Sequence, residues 1–192
     1  MLEFYFGKTR VILRFSFFAV LLLMAEFLKS DWGLWCAGAC LLHETGHIFA
    51  YTSLGAAPRE VCFTCGGIRI VPPKKPLSPI REALVLWAGS AVNLLAGGAL
   101  WALRCRYAAG FHLLLGAFNL LPLSALDGGQ LLRLLTEQRL PLWSAAAFCQ
   151  IVSLATLLPL LISGWLLFRK TGNFSLLLTL CYLTAIAIDP HR

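Results

Sequence analysis

The sequence predicts an all-α membrane protein of about six transmembrane helices, with a short β-hairpin following the second helix. Three observations predict it. Of 192 residues, 59% are hydrophobic and only 13% are charged, whereas a water-soluble domain of this size carries about a quarter charged residues. Six apolar stretches approach the roughly 20 residues that a helix needs to cross a bilayer core. Between the second and third lies a glycine- and proline-rich break that no helix can occupy.

The apolar stretches run over residues 11–28, 32–54, 83–103, 108–126, 142–168 and 174–188. The last is short enough to be tilted or only partly inserted. Lys8, Arg10 and Arg14 precede the run Phe15–Leu23 in the manner of a secretory signal, but no small-x-small cleavage site follows, and Glu26 and Lys29 come next. The first stretch therefore reads as a retained membrane helix. No internal repeat or low-complexity linker is visible. One domain is expected over residues 1–192, with a core at 32–135 and flanking helices at 11–28, 142–168 and 174–188.

In the break, Val61–Thr64 and Ile68–Val71 are β-prone and flank Gly66-Gly67, which predicts two strands joined by a glycine turn. Pro72, Pro73, Pro76 and Pro79 then end regular structure. If all six stretches span, Lys29, Arg104, Arg106, Arg169 and Lys170 fall on one side and the rest of the 16 Lys and Arg on the other. The excess predicts a multi-pass cell-membrane protein with both termini in the cytoplasm and the hairpin on the same side.

The net charge of +7 does not indicate nucleic acid as a partner, because the cations are scattered between apolar runs rather than gathered with aromatics on one face. They suit the lipid bilayer, orienting loops and meeting anionic headgroups. Seven cysteines, an odd number and mostly inside apolar runs, argue against a disulfide framework. Cys62 and Cys65 have the spacing of a metal or redox pair, but no second such pair exists, and on a strand the two face opposite sides. Cys36 and Cys40 continue one stripe of the second helix.

The second stretch contains His43-Glu44-Thr45-Gly46-His47. Histidines at i and i+4 lie on one helical face and can reach a single ion. Glu44, offset by one residue, can accept a proton from a water on that ion, as in zinc hydrolases. The alternative is a bare polar cluster lining a pore. A charge at mid-bilayer costs about 2.5–3.5 kcal/mol, so three ionisable groups within five residues call for a compensating ion, and one Zn2+ per chain is the expected cofactor.

Hydrolytic zinc keeps three protein ligands and an open position. His191 lies at the terminus and His112 towards the far end of the fourth stretch. Asp127 stands out among the carboxylates. It ends an apolar run in Asn119-Leu-Leu-Pro122-Leu-Ser-Ala-Leu-Asp127-Gly-Gly, where Pro122 interrupts the helix and two glycines let the backbone bend. As an isolated residue, Asp127 reads equally well as a helix cap.

H-E-x-x-H in one membrane helix, with N-x-x-P-x-x-x-x-D-G in a later one, resembles the site-2 protease family of intramembrane metalloproteases over residues 32–135. The resemblance implies that His43, His47 and Asp127 hold zinc, that Glu44 is the base, and that Asn119 and Pro122 hold substrate or the broken helix. Gly89-Ser-Ala-Val-Asn93 resembles the family's G-x-x-x-N element, with Ser90 where proline is common. It implies a substrate- or oxyanion-contacting role for Asn93, alongside the plainer reading of an interhelical hydrogen bond. The Gly66-Gly67 hairpin resembles the one with which a substrate strand pairs. The closest branch is that of the stage IV sporulation protein FB, without the CBS domain many of its members carry. This implies a bacterial cell membrane, a single-span membrane-protein substrate and a regulatory membrane partner. The competing readings are a membrane metal-ion transporter, which has no need of Glu44, a prenyl-protein protease, which uses a glutamate as third ligand, and a catalytically inactive relative.

Overall fold

The computed structural model describes residues 1–28, 32–65, 67–172 and 174–188. Gly66, Lys29, His191 and Arg192, used in the sequence reading, lie outside the described residues. The chain forms two compact units, Met1–Ala117 and Phe118–Arg192.

The first unit departs from an all-α fold. It opens with a hairpin of β1 (Leu2–Phe6) and β2 (Thr9–Leu13). Gly7, at φ 60°, supplies the left-handed residue that a two-residue hairpin turn needs. Residues 11–13, expected at the start of a helix, are therefore strand. Two helices follow, α1 (Phe15–Leu28) and α2 (Trp32–Ser53), and then β3 (Glu60–Thr64) and β4 (Gly67–Val71). The latter two are the expected hairpin, with Thr64 opposite Gly67. β3 also pairs in parallel with β2, Val11 opposite Val61, so one sheet runs in the order β1-β2-β3-β4. Ile12, Val61 and Cys62 are buried in it, while Cys65 is exposed. Arg10, which shares a face with Ile12, bonds Glu3 at 2.6 and 2.8 Å and lies 3.7 Å from Glu60, which in turn lies 3.6 Å from Arg69.

Helix α3 (Pro79–Ala102) packs along α2, and α4 (Arg106–Asn119) follows it. Both contacts run through small residues. A methyl group on Gly46 would meet the Ala88 carbonyl oxygen at 2.9 Å, and one on Gly97 would meet Leu113 Cγ at 2.7 Å. Such close backbone approach is the usual packing of helices in an apolar solvent.

In the second unit the expected single stretch 108–126 is broken. α4 ends at Asn119, and after a turn through Pro122 a separate helix, α5 (Asp127–Glu137), begins. α6 (Leu142–Thr171) and α7 (Ser175–Ile188) complete the unit. Leu123, Leu157, Leu180 and Leu183 form its core, so the turn itself contributes a core side chain.

Among the described residues, α3 and α6 are the two helices long and apolar enough to cross a membrane. The expected six spans exceed that number. α1, α4 and α7 have 14 residues each, about 21 Å at 1.5 Å per residue, short of a 30 Å hydrocarbon core. α2 has 22 residues, but His43, Glu44 and His47 dilute its apolar character. The outer face of α3 leaves Ile80, Leu84, Trp87 and Leu95 more than half exposed, and that of α6 does the same with Ile151, Leu158, Ile162 and Trp165.

Candidate metal centre

In the first unit α2 presents His43 and His47, both buried. Their rings stand edge-to-face, 4.8 Å between centroids, and their Nε2 atoms are 3.1 Å apart. His47 Nδ1 lies 2.8 Å from the Val85 carbonyl oxygen on α3. A carbonyl only accepts, so Nδ1 carries the proton. In the neutral ring this makes Nε2, which faces His43 Nε2, the lone-pair nitrogen, the usual arrangement that fixes tautomer and ring orientation in metal-binding histidines.

Gly89 completes this wall. A Cβ there would collide with His47 Nε2 and with the Cε1 atoms of both rings. Any other residue would push the imidazoles from their present places. Glu44, next in sequence to His43, is half-buried on α2. The structure thus brings together His43, His47 and Gly89 in one helix contact.

Asn93 sits one turn beyond Gly89 on α3 and is fully buried. Its Oδ1 accepts from His112 Nδ1 of α4 at 3.0 Å, which is the interhelical hydrogen bond of the plainer reading. Its Nδ2 has no partner among the described residues, nor has the neighbouring Ser90 hydroxyl. His112, passed over on sequence grounds, is therefore part of this buried polar group. Its signal was present: Ala108, His112 and Gly116 recur at helical spacing and are all buried, marking a packed face rather than a lipid-facing one. Gly67 lies elsewhere, exposed at the hairpin turn with φ 112°, a conformation that favours glycine.

The second unit holds Asn119, Pro122 and Asp127. Asn119 ends α4, and Asp127 is the first residue of α5, whose N-cap is Leu126. Asp127 is thus not the cap. Its carboxylate stands in the first turn, where the positive end of the helix dipole favours an anion. The connecting turn is pinned by Ser153 of α6, whose hydroxyl donates to the Pro122 carbonyl at 3.0 Å and accepts from the Ser124 amide at 3.2 Å. The glycines after Asp127 serve this turn. A Cβ on Gly128 would strike the Leu120 carbonyl, and one on Gly129 the Leu123 carbonyl.

Residues 103–160 match the family described as Peptidase family M50. The match covers the Asn119–Asp127 turn and leaves the His43–His47 helix outside it. No curated protein sequence matches the chain. Among solved structures, the fold is similar to that of the Site-2 Protease from Methanocaldococcus jannaschii, with a TM-score of 0.69 and 19% identity, over 100% of this chain and 95% of that one. At that identity the likeness establishes a shared fold, and the sequence match to Peptidase family M50 falls on the segment that carries Asp127.

Proposed function

We propose that this protein is a zinc metalloprotease that hydrolyses peptide bonds within or beside the transmembrane segments of single-span membrane proteins. The observation that carries the reading is the His43–His47 pair, with Nε2 atoms 3.1 Å apart and His47 Nδ1 tied to a backbone carbonyl. Two buried imidazoles held this way, against a glycine whose Cβ would displace them, suit a metal ion. Asp127 is the third ligand in this proposal, supported by its place in a helical first turn and by the Peptidase family M50 match over its segment. His, His and Asp are a donor set that zinc accepts, with a fourth position left for water.

Zinc bound there would supply Lewis acidity and lower the pKa of a bound water. Glu44 takes the proton from the attacking water and returns it to the leaving amine. Asn93, oriented by His112, donates from Nδ2 to the substrate backbone, and Asn119 contributes at the turn before Asp127. The β3–β4 hairpin, whose sequence carries Gly66 and Gly67, offers β4 as an edge to which an unwound substrate segment can add as a strand.

The apolar outer faces of α3 and α6 support a bilayer location, and the uneven distribution of Lys and Arg between the loops supports several crossings with both termini in the cytoplasm. In family terms we place the chain beside the stage IV sporulation protein FB branch, with a regulatory membrane partner. The test is a Glu44→Gln protein, purified in detergent and assayed for zinc content and for cleavage of a panel of single-span substrates. The expected result is retained zinc and a loss of cleavage of about a thousandfold or more. Undiminished cleavage would overturn the assignment of the base, while zinc flux across vesicles without cleavage by the wild type would favour a transporter.

A further inference from the structure

Away from the histidines, the first unit contains a cavity of about 620 Å3. Three stretches of chain enclose it: Lys8 at the tip of the β1–β2 hairpin, residues 54–57 just after α2, and residues 73–81 leading into α3. Its charged lining residues are Lys8, Lys75 and Arg81, with no carboxylate among them. Among the described residues none of these three cations is ion-paired. Glu60, the acid on the adjoining strand, is engaged by Arg10 and Arg69 instead.

Three like charges facing one cavity repel one another, and an anion there would relieve that repulsion. The site also contains Ser78, the N-cap of the 24-residue α3, whose hydroxyl makes no capping bond. The first-turn amides of that helix lack intrahelical partners, and the helix dipole adds positive potential. Leu54, Ala56, Ala57, Pro76 and Leu77 supply an apolar remainder, so the cavity exceeds what a bare inorganic anion fills. Ser78 and Arg81 of its lining stand where α3 begins, and Ile80, Leu84 and Trp87 follow at helical spacing, all exposed, along that helix.

We propose that this cavity binds a phosphate ester, presented as the headgroup of an anionic phospholipid. Lys8, Lys75 and Arg81 surround the phosphate, and the acyl chains run along Ile80, Leu84 and Trp87. A lipid seated there bridges the β1–β2 hairpin tip to the start of α3, and so braces the segment that carries β3 and β4. The proposal is independent of the metal centre and of any protease activity.

The test uses the full-length protein in detergent micelles doped with dioleoyl phosphatidylglycerol or dioleoyl phosphatidylcholine, with retained lipid counted by native mass spectrometry. Wild type is expected to retain phosphatidylglycerol over phosphatidylcholine. Lys75→Glu is expected to weaken that retention about fivefold, and Lys8→Glu/Lys75→Glu/Arg81→Glu about a hundredfold, since each cation near an anionic surface contributes modestly and additively. Arg169→Glu/Lys170→Glu, on α6, should retain lipid as wild type does. Should the triple variant fail to fold, Lys75→Glu and a triple Gln variant carry the test, with melting temperature as the control. Equal retention of the two lipids, or retention unchanged by a folded Lys75→Glu protein, would overturn the site. Competition by inorganic phosphate or glycerol 3-phosphate at equal concentration would overturn the lipid as the source of the phosphate ester.

Discussion

The two units hold their candidate ligands by different means. In the first, His43 and His47 sit on a continuous helix, and their places are set by contact with a second helix at Gly46 and Gly89. In the second, Asp127 follows a break, and its place is set by hydrogen bonds from Ser153 and by glycines beneath two carbonyls. The histidine contact is specified chiefly by side-chain volume, with one hydrogen bond, from His47 Nδ1 to the Val85 carbonyl, orienting a ring. A turn is specified by volume and by polar partners together, so it can be loosened by degrees. The lesson is that the histidine pair should fail abruptly when its packing changes, whereas the aspartate should fail gradually.

The largest effect expected is at the first region. Gly89→Val places a branched side chain against both imidazoles, and zinc content measured by mass spectrometry should fall below about a tenth of wild type, with cleavage abolished. Zinc bound at wild-type level would show that the ring positions are not set by this contact. Next is Gly129→Ala. Its Cβ would meet backbone rather than a flexible side chain, and a loss of about 2–4 kcal/mol in denaturant unfolding is expected. A loss below about 0.5 kcal/mol would show that the turn yields.

The third effect sharpens the first region rather than breaking it. His112→Ala removes the donor to Asn93 and leaves a buried amide with neither end paired, a cost of about 1–3 kcal/mol. Zinc content should be unchanged while kcat falls, and His112→Gln, which can donate to the same oxygen, should recover part of kcat. Equal falls in zinc and kcat would mean that His112 acts only through the fold.

How far the sequence anticipates these regions follows from how local each feature is. His43, Glu44 and His47 are legible because ligand spacing within a helix is fixed by its pitch. The β3–β4 hairpin is legible for the same reason: its partners are a few residues apart around Gly66-Gly67. The β1–β2 hairpin is hidden in the sequence because Lys8, Arg10 and Arg14 look like the basic flank of a membrane helix, although Gly7-Lys8 between two strand-prone runs is itself a turn signal. The parallel pairing of Val11 with Val61 and the hydrogen bond from His112 to Asn93 join residues far apart in the chain, so nothing local encodes them. The break before Asp127 was half legible. Pro122 announces it, but Ser153, which holds it closed, lies 31 residues from Pro122. In the sequence Gly128 and Gly129 suggest freedom to bend, whereas in the fold they are spaces beneath the Leu120 and Leu123 carbonyls.

The smallest effect is expected at Ser153, and it separates the two regions most cleanly. Ser153 is buried, and its single hydroxyl both donates to the Pro122 carbonyl and accepts from the Ser124 amide. Ser153→Ala fits the same space but leaves that carbonyl and that amide without a partner, at a cost of about 1–2 kcal/mol. Ser153→Cys should recover less than half of this, because a thiol is a weak donor and a weak acceptor. The histidine pair, held within the first unit by Val85 and Gly89, is untouched by either change. Zinc affinity, measured by competition with a chromophoric chelator, should therefore weaken only through Asp127, by about tenfold rather than completely. An affinity equal to wild type would indicate that the turn holds its shape without Ser153. A complete loss of zinc would indicate that Asp127 tolerates no loosening, and that the aspartate fails as abruptly as the histidines.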